Sequence, residues 1–161
     1  EVMKILNEYL ERLDDAPDFS EGSQMGEMTH AYGTAYISAA IAQERGLNPE
    51  LAFIIGLMHD AGRIAGNLEG EDHGKKGAEL TETLLARTGK FSKEETDTIF
   101  LAIYNHSNKK DEGSGYEEVI KDADVVERIL ITKETYKSSK KKRKRLKASL
   151  EQLGLKLKEK K

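Results

Sequence analysis

The feature that most constrains the fold is an apolar segment, Leu51–Met58, that runs directly into the dipeptide His59-Asp60. The segment is apolar on nearly every side of a helix, so we expect it to form the central, most buried helix, roughly residues 49–63. Burying a histidine and an aspartate at the end of such a helix is costly unless both have partners, because an unpaired buried charge costs several kcal/mol. The two side chains could instead converge on one cation where the helix loosens at Gly62.

Helical spacing of apolar residues continues along the rest of the chain, and no segment alternates with the period of a strand. Further helices are predicted over about residues 28–45, 73–87, 93–105 and 116–136. A capping box, Ser92 to Glu95, begins the fifth helix. A first helix is predicted from Val2, Ile5, Leu6, Tyr9, Leu10 and Leu13, and a loop from Gly62, Gly66 and Gly70. We therefore expect an all-α protein with six or seven helices in a single domain, residues 1–136.

The charge of the chain is divided between an acidic body and a basic tail. The net charge is −3, yet residues 1–132 hold 13 basic and 26 acidic residues and residues 133–161 hold 13 basic and 3 acidic ones. Residues 137–161 combine the cationic run Lys140–Arg145 with leucines at helical spacing, which predicts a basic amphipathic C-terminal helix. We favour packing of this helix against the acidic body; binding to nucleic acid or to an anionic membrane surface is the alternative.

Several classes of protein are excluded or disfavoured by what the sequence lacks. Without cysteine there is no disulfide framework, no Cys-type zinc site, no iron–sulfur cluster and no thiol nucleophile. No apolar run approaches the ~20 residues that a membrane-spanning helix needs. The chain opens with an amphipathic stretch and not with a signal peptide. No phosphate-binding loop of the G-x-x-x-x-G-K-[ST] type is present. We expect a soluble, cytoplasmic protein.

The four histidines all lie at predicted helix ends or on apolar helix faces. His30 lies early in the second helix, His73 begins the fourth, and His106 ends the fifth, while Asp124 lies among apolar residues of the sixth. A single histidine in such a place is more often a hydrogen-bonded core residue than a ligand. The whole set, together with two carboxylates, favours a metal site, since imidazoles and carboxylates are the ligands of Zn, Mn, Fe and similar ions.

The order of these residues resembles the H…HD…D signature of the HD-domain superfamily of metal-dependent phosphohydrolases, and in particular a bacterial type. The resemblance covers about residues 25–132 and rests on four motifs: Met58-His-Asp-Ala-Gly-Arg63, His73-Gly-Lys-Lys-Gly-Ala-Glu79, Asn105-His106 and Asp122-Ala-Asp124. Family members often have Lys in the place of Arg63. The resemblance implies an all-α fold with a metal centre where the helices converge.

Carried over residue by residue, the resemblance implies two ion sites. The first ion would be bound by His30, His59, Asp60 and Asp124, and Asp124 is preferred to Asp122 because the ligand of the family follows the alanine. His73 and His106 match the positions that bind a second ion in binuclear members, with Asp60 bridging the two ions. The cofactor would be a divalent transition metal, one or two ions of Fe, Mn, Zn, Co or Ni, with Mg also possible.

The chemistry implied is hydrolysis of a phosphoester by a metal-activated hydroxide. Asp60, His73 and His106 are the predicted catalytic residues, because a histidine that is not a ligand could protonate the leaving group. Arg63 and Lys76 are the candidates for binding substrate phosphates. The alternatives are a structural ion pair for Arg63 and a solvated surface side chain for Lys76.

The leading hypothesis is therefore an enzyme, a phosphatase or phosphodiesterase that acts on a small phosphorylated substrate such as a nucleotide. One alternative is a non-catalytic sensor module that binds a metal or nucleotide in the same pocket. Another is a nucleic-acid-binding protein that uses the basic tail, which the absence of aromatic residues after Tyr136 disfavours. The sequence does not predict an oligomeric state.

Overall fold

The structure is a computed structural model that describes residues 24–66, 72–130 and 140–155. These residues form helices and no strand, as the apolar spacing predicted. The helices are α1 (Gln24–Glu44), α2 (Pro49–Met58), α3 (Ala61–Gly66), α4 (Asp72–Thr88), α5 (Lys93–Asn105), α6 (Gly115–Leu130) and α7 (Lys140–Gln152). The predicted first helix and the predicted domain boundary at residue 136 lie outside the described residues. None of the described helices is long and apolar enough to cross a membrane.

The central helix α2 begins as its sequence predicts. Asn48 is its N-cap and accepts a hydrogen bond from the backbone N–H of Glu50, while Pro49 occupies the first turn. Most of the helix is buried, and Ile55 and Met58 are fully enclosed by side chains of the neighbouring helices. At Gly56 an added Cβ would lie only 2.7 Å from the Cα atom of Ala35, so this glycine allows α1 to pack closely against α2.

The predicted helix over residues 49–63 is wrong in one respect, because the structure divides it in two. Helix α2 ends at Met58, and a turn at His59 and Asp60 leads into the short helix α3. The prediction of a loop at Gly62 and Gly66 is therefore also wrong, and Gly70 lies outside the described residues. Position 62 is a glycine because α3 and α4 pack closely there and not because the chain forms a loop. A Cβ at this position would lie 2.1 Å from the carbonyl oxygen of His73 in α4.

The C-terminal helix α7 packs against α6, as predicted for a tail that docks on the body. Leu146 and Leu150 are buried against Val125 and Val126. The apolar face of α7 is thus covered by the same helix that contributes Asp124 to the candidate site.

One basic side chain of the cationic run also points into this contact. The guanidinium of Arg145 lies 2.7 Å from Glu118 and 2.7 Å from Asp122, both on α6. Arg143 and Lys144, which precede it, are exposed. The contact between α6 and α7 therefore joins apolar packing to a partly buried ion-pair network.

We expect acid to weaken the contact between α6 and α7. Burial alone would raise the pKa of Glu118, but hydrogen bonds from Arg145 and from the Gly113 N–H, with the charge of Arg145, lower it below its ordinary value of 4.5. A carboxyl with a lowered folded-state pKa adds stability above its unfolded pKa and loses it as the pH falls through the folded value. Glu118 is partly exposed, so the effect should stay below about 1 kcal/mol.

Urea unfolding at pH 7 and at pH 3 of the natural chain and of Glu118→Gln measures this effect. We expect the natural chain to be the more stable at pH 7 and the difference to shrink at pH 3, because the stabilisation from a carboxyl with a lowered pKa is lost as the pH falls. An equal difference at both pH values would contradict the prediction, because other acid-sensitive groups cancel in the comparison.

Candidate metal centre

The six predicted ligand residues meet in one place although they come from five elements of the fold. His30 lies on α1, His59 and Asp60 form the turn after α2, His73 lies on α4, His106 follows α5, and Asp124 lies on α6. Five of them are buried, and the side chain of His73 is 12% exposed.

Asp60 stands between two pairs of histidines. Its Oδ2 atom lies 3.5 Å from Nε2 of His30 and 3.4 Å from Nε2 of His59, and these two nitrogens are 3.1 Å apart. Its Oδ1 atom lies 3.3 Å from Nε2 of both His73 and His106, which are 3.0 Å apart. The two resulting groups, which share Asp60, each have donor atoms close enough to hold a metal ion.

The sixth helix brings Asp124, and not Asp122, to this cluster. The Oδ1 atom of Asp124 lies 3.5 Å from Nε2 of His30. Asp122 lies on another side of the helix, where it accepts hydrogen bonds from Arg45 at 2.6 Å and from Arg145 at 2.7 Å. This division follows from helix geometry, because residues two apart on a helix point in very different directions.

Hydrogen bonds at Nδ1 orient the imidazoles of His59 and His106 so that Nε2 faces the centre. Nδ1 of His59 donates to the carbonyl oxygen of Gly56 at 2.7 Å, and Nδ1 of His106 donates to that of Ile103 at 2.6 Å. Both histidines follow directly after a helix, where the last carbonyl groups lack helical partners. Since a carbonyl can only accept, each Nδ1 carries a proton, and Nε2 is the ring nitrogen left to bind a metal ion.

Glu127 fulfils the same role for His30. Its Oε2 atom lies 2.5 Å from Nδ1 of His30, and its side chain is fully buried on α6, one turn after Asp124. Histidine ligands of metals commonly donate their second ring N–H to a carboxylate, which fixes the ring and makes it a better ligand.

Both aspartates of the centre are held in the charged form. Burial alone would raise the pKa of Asp60, but the charge of His59 and the close imidazoles of His106 and His30 lower it well below its usual range. Burial likewise opposes ionisation of Asp124, and the charges of Lys109 and Arg128 lower its pKa well below the usual range. Two buried carboxylates are thus available as ligands at neutral pH.

The imidazoles differ in their protonation. Burial lowers the pKa of His106, which keeps this ring neutral at neutral pH. Burial also lowers that of His30, but the nearby carboxylates of Asp60 and Glu127 outweigh burial and raise the pKa to about 10. Without an ion, His30 therefore carries a proton that an ion at Nε2 would have to displace.

The donor set fits a divalent transition metal. Buried polar atoms almost always have a hydrogen-bond partner, yet Oδ2 of Asp60 has none among the described residues. This oxygen faces two Nε2 atoms instead, as a ligand would. Ligands about 2.1 Å from one ion lie roughly 3.0–3.4 Å apart in tetrahedral or octahedral arrangements, and the atoms around Asp60 are 3.0–3.5 Å apart. Nitrogen and oxygen donors of this kind suit Zn, Mn, Fe, Co or Ni.

The two predicted substrate-binding residues have different surroundings. Arg63 lies at the centre, where its guanidinium is 3.8 Å from Oδ2 of Asp60 and 3.9 Å from Glu27. Lys76 is exposed, and its Nζ atom lies 3.0 Å from Glu79 on the same helix. Its role in binding substrate stays a prediction.

Four residues that contact the centre were not predicted as site residues: Glu127, Arg128, Lys109 and Ser107. Glu127 and Arg128 follow Asp124 by three and four residues on α6, so helical spacing from Asp124 would have identified them. Lys109, in the loop after α5, contacts the carboxylate of Asp124. The hydroxyl of Ser107 lies 3.0 Å from Nε2 of His73 and 3.1 Å from Nε2 of His106.

We expect Glu127→Gln to weaken metal binding by about 10–100-fold, because this variant removes the charge that orients His30. Titration with Mn²⁺ or Co²⁺, followed by calorimetry, measures the affinity. Glu112→Gln is a matched control at an exposed position and should bind as the natural chain does. Unchanged affinity in Glu127→Gln would show that His30 needs no partner at Nδ1.

Comparison with known proteins gives one family. The family model for the HD domain matches residues 28–129, a stretch that contains all six residues of the centre and ends before α7. No curated protein matches the chain, and no solved structure does. The HD domain is typical of metal-dependent phosphohydrolases, and the histidine and aspartate groups of this chain could hold a metal.

Proposed function

Because the chain belongs to the HD domain family, we propose that it is a metal-dependent phosphohydrolase that cleaves a phosphoester of a small phosphorylated substrate, in particular a nucleotide. The observation that carries the proposal is the position of Asp60, whose two oxygens face two separate pairs of histidine Nε2 atoms. A carboxylate in this position suits a centre with two ions.

The proposed cofactor is one or two divalent transition metal ions. His30, His59, Asp60 and Asp124 would hold the first ion, and Asp60, His73 and His106 the second. When bound, such ions lower the pKa of a water molecule toward ~7 and neutralise charge on the phosphoryl group. Asp60 would serve both ions, and the hydrogen bonds at Nδ1 hold the rings of His59 and His106 in place.

His73 is the better candidate for proton transfer to the leaving group in an enzyme with one ion. Its side chain is 12% exposed, against 3% for His106, so a substrate reaches it more readily. The lowered pKa of His106, caused by burial, disfavours the protonated form that a general acid needs. Arg63 lies beside Asp60, where its guanidinium can bind a substrate phosphate.

The experiment that tests the proposal combines metal analysis with a substrate screen. Protein purified without chelator or affinity-tag metal is analysed for bound metal and then assayed with phosphomonoesters and phosphodiesters in the presence of Mn, Fe, Co, Ni, Zn or Mg. We expect bound transition metal and turnover with at least one substrate. No bound metal and no activation by any ion would contradict the proposal. Tight binding of metal and nucleotide without turnover would support the sensor module instead.

A further inference from the structure

Three cationic side chains from three elements converge on the two ligand carboxylates. Arg63 on α3 and Arg128 on α6 each place a guanidinium nitrogen 3.8 Å from Oδ2 of Asp60. Arg128 also donates to Oδ1 of Asp124 at 2.8 Å, and Lys109, in the loop after α5, contacts Oδ2 of the same carboxylate.

These cations lie on the solvent side of the carboxylates. The side chains of Arg63, Lys109 and Arg128 are 25%, 20% and 21% exposed, whereas those of Asp60 and Asp124 are 5% and 3% exposed. The three cations are therefore within reach of a ligand in solvent, while the carboxylates that they contact are buried.

We propose that Arg63, Lys109 and Arg128 together form the binding site for a terminal phosphate group, so that the substrate is a phosphate monoester and not a phosphodiester. This inference rests on the proposed function. It adds Lys109 and Arg128 to the substrate-binding residues and selects one of the two ester classes.

The first argument concerns charge. In the described structure the cations neutralise Asp60 and Asp124, and Glu27 contacts Arg63 at 3.9 Å. Each divalent ion that binds adds two positive charges; the first would draw on both carboxylates and the second on Asp60. The cations then lose much of the negative charge that they face, and an anion from solvent restores the balance in a partly buried site where charges are poorly screened.

The second argument concerns the number of oxygens. The phosphate of a monoester has three non-bridging oxygens and a charge of about −1.5 to −2 at pH 7. A diester has two non-bridging oxygens and a single negative charge. Three cations from three directions match the monoester, and the planar guanidinium groups of Arg63 and Arg128 can each donate two hydrogen bonds to phosphate oxygens.

Binding of inorganic phosphate and of dimethyl phosphate to the ion-loaded protein, measured by calorimetry, tests the inference without relying on turnover. We expect phosphate to bind the natural chain at least about 10-fold more tightly than dimethyl phosphate. Arg128→Gln and Lys109→Gln should each weaken phosphate binding by about 10–100-fold, the value of a hydrogen bond to a charged group. Arg87→Gln and Lys90→Gln remove exposed cations of α4 and of the turn that follows it, and should leave the affinity unchanged.

Metal content, measured on every variant, separates the outcomes. Equal binding of the two anions to the natural chain would overturn the choice of a monoester. If Arg128→Gln and Lys109→Gln kept their full metal content and bound phosphate as the natural chain does, the assignment of these cations to an anion site would be overturned. Loss of metal from both variants, with metal and phosphate binding recovered together in Arg128→Lys, would assign these cations to positioning Asp124 and overturn the anion site too. A natural chain that binds no metal would instead contradict the proposed function.

Discussion

An Asp60→Asn variant should lose metal from both halves of the centre and lose hydrolysis with it. Asp60 contributes one oxygen to each group of possible ligands, and both groups lose a charged donor when the carboxylate becomes an amide. Loss of an outer partner of a metal ligand costs about 10–100-fold in affinity or activity. We expect loss of a ligand shared by two ions to exceed about 100-fold in both.

Metal analysis and the phosphoester assay on the same preparation test this prediction. Asp97→Asn is a matched control, because Asp97 is exposed and pairs with Lys93 on the surface of α5. That variant should keep its metal and its activity. Retention of full metal content in Asp60→Asn would contradict a shared ligand, and loss of metal at only one of two sites would assign Asp60 to a single ion.

Gly62→Ala should disrupt the centre without changing any of its ligands. The new Cβ would lie 2.1 Å from the carbonyl oxygen of His73 and 2.7 Å from the backbone nitrogen of Gly77. Both obstacles are backbone atoms, so α3 and α4 would have to move apart and carry Asp60 and His73 with them. Overpacking of this kind costs about 1–3 kcal/mol and occasionally more. We expect Gly62→Ala to be destabilised by this amount. We also expect it to lose at least about 100-fold in activity, because a small displacement of catalytic groups has an effect of this size.

Gly115→Ala is the matched control, since a Cβ there meets only the end of the Leu47 side chain, at 3.2 Å. Chemical unfolding and metal titration of the two variants give the comparison. If Gly62→Ala were as stable and as active as Gly115→Ala, the close contact between α3 and α4 would have no part in placing the ligands.

The predictions from sequence were most accurate where local chemistry decides the structure. The capping box at Ser92 and Glu95 begins α5 as predicted, and the helix spans the predicted residues. The helix after Asn48 was predicted to continue to residue 63, because apolar spacing does not show where a chain turns to bring ligands together. The same limit explains why the packing role of Gly62 was not predicted. Its closeness to His73 depends on how two helices pack, which the sequence of one helix does not show.

In the candidate site, too, some residues could be predicted from the sequence and others could not. The six candidate ligands were identified from their order along the chain, and the structure brings them together. Glu127, Arg128, Lys109 and Ser107 were not predicted as site residues, because charged and hydroxyl side chains are common on helix and loop surfaces. Spacing from Asp124 could have identified Glu127 and Arg128, whereas the contacts of Lys109 and Ser107 with the centre are visible only in the packed structure.

The origin of the ligands in five separate elements makes the centre a cross-link of the fold. No short fragment of the chain contains either group, so an ion with high affinity binds the folded chain far better than the unfolded one. Ion binding then adds to the free energy of unfolding, by about 2.7 kcal/mol at a free ion concentration one hundred times the Kd. The two proposed ions together would tie α1, α4 and α6 to the turn after α2, so that loss of metal would loosen the fold as well as the site.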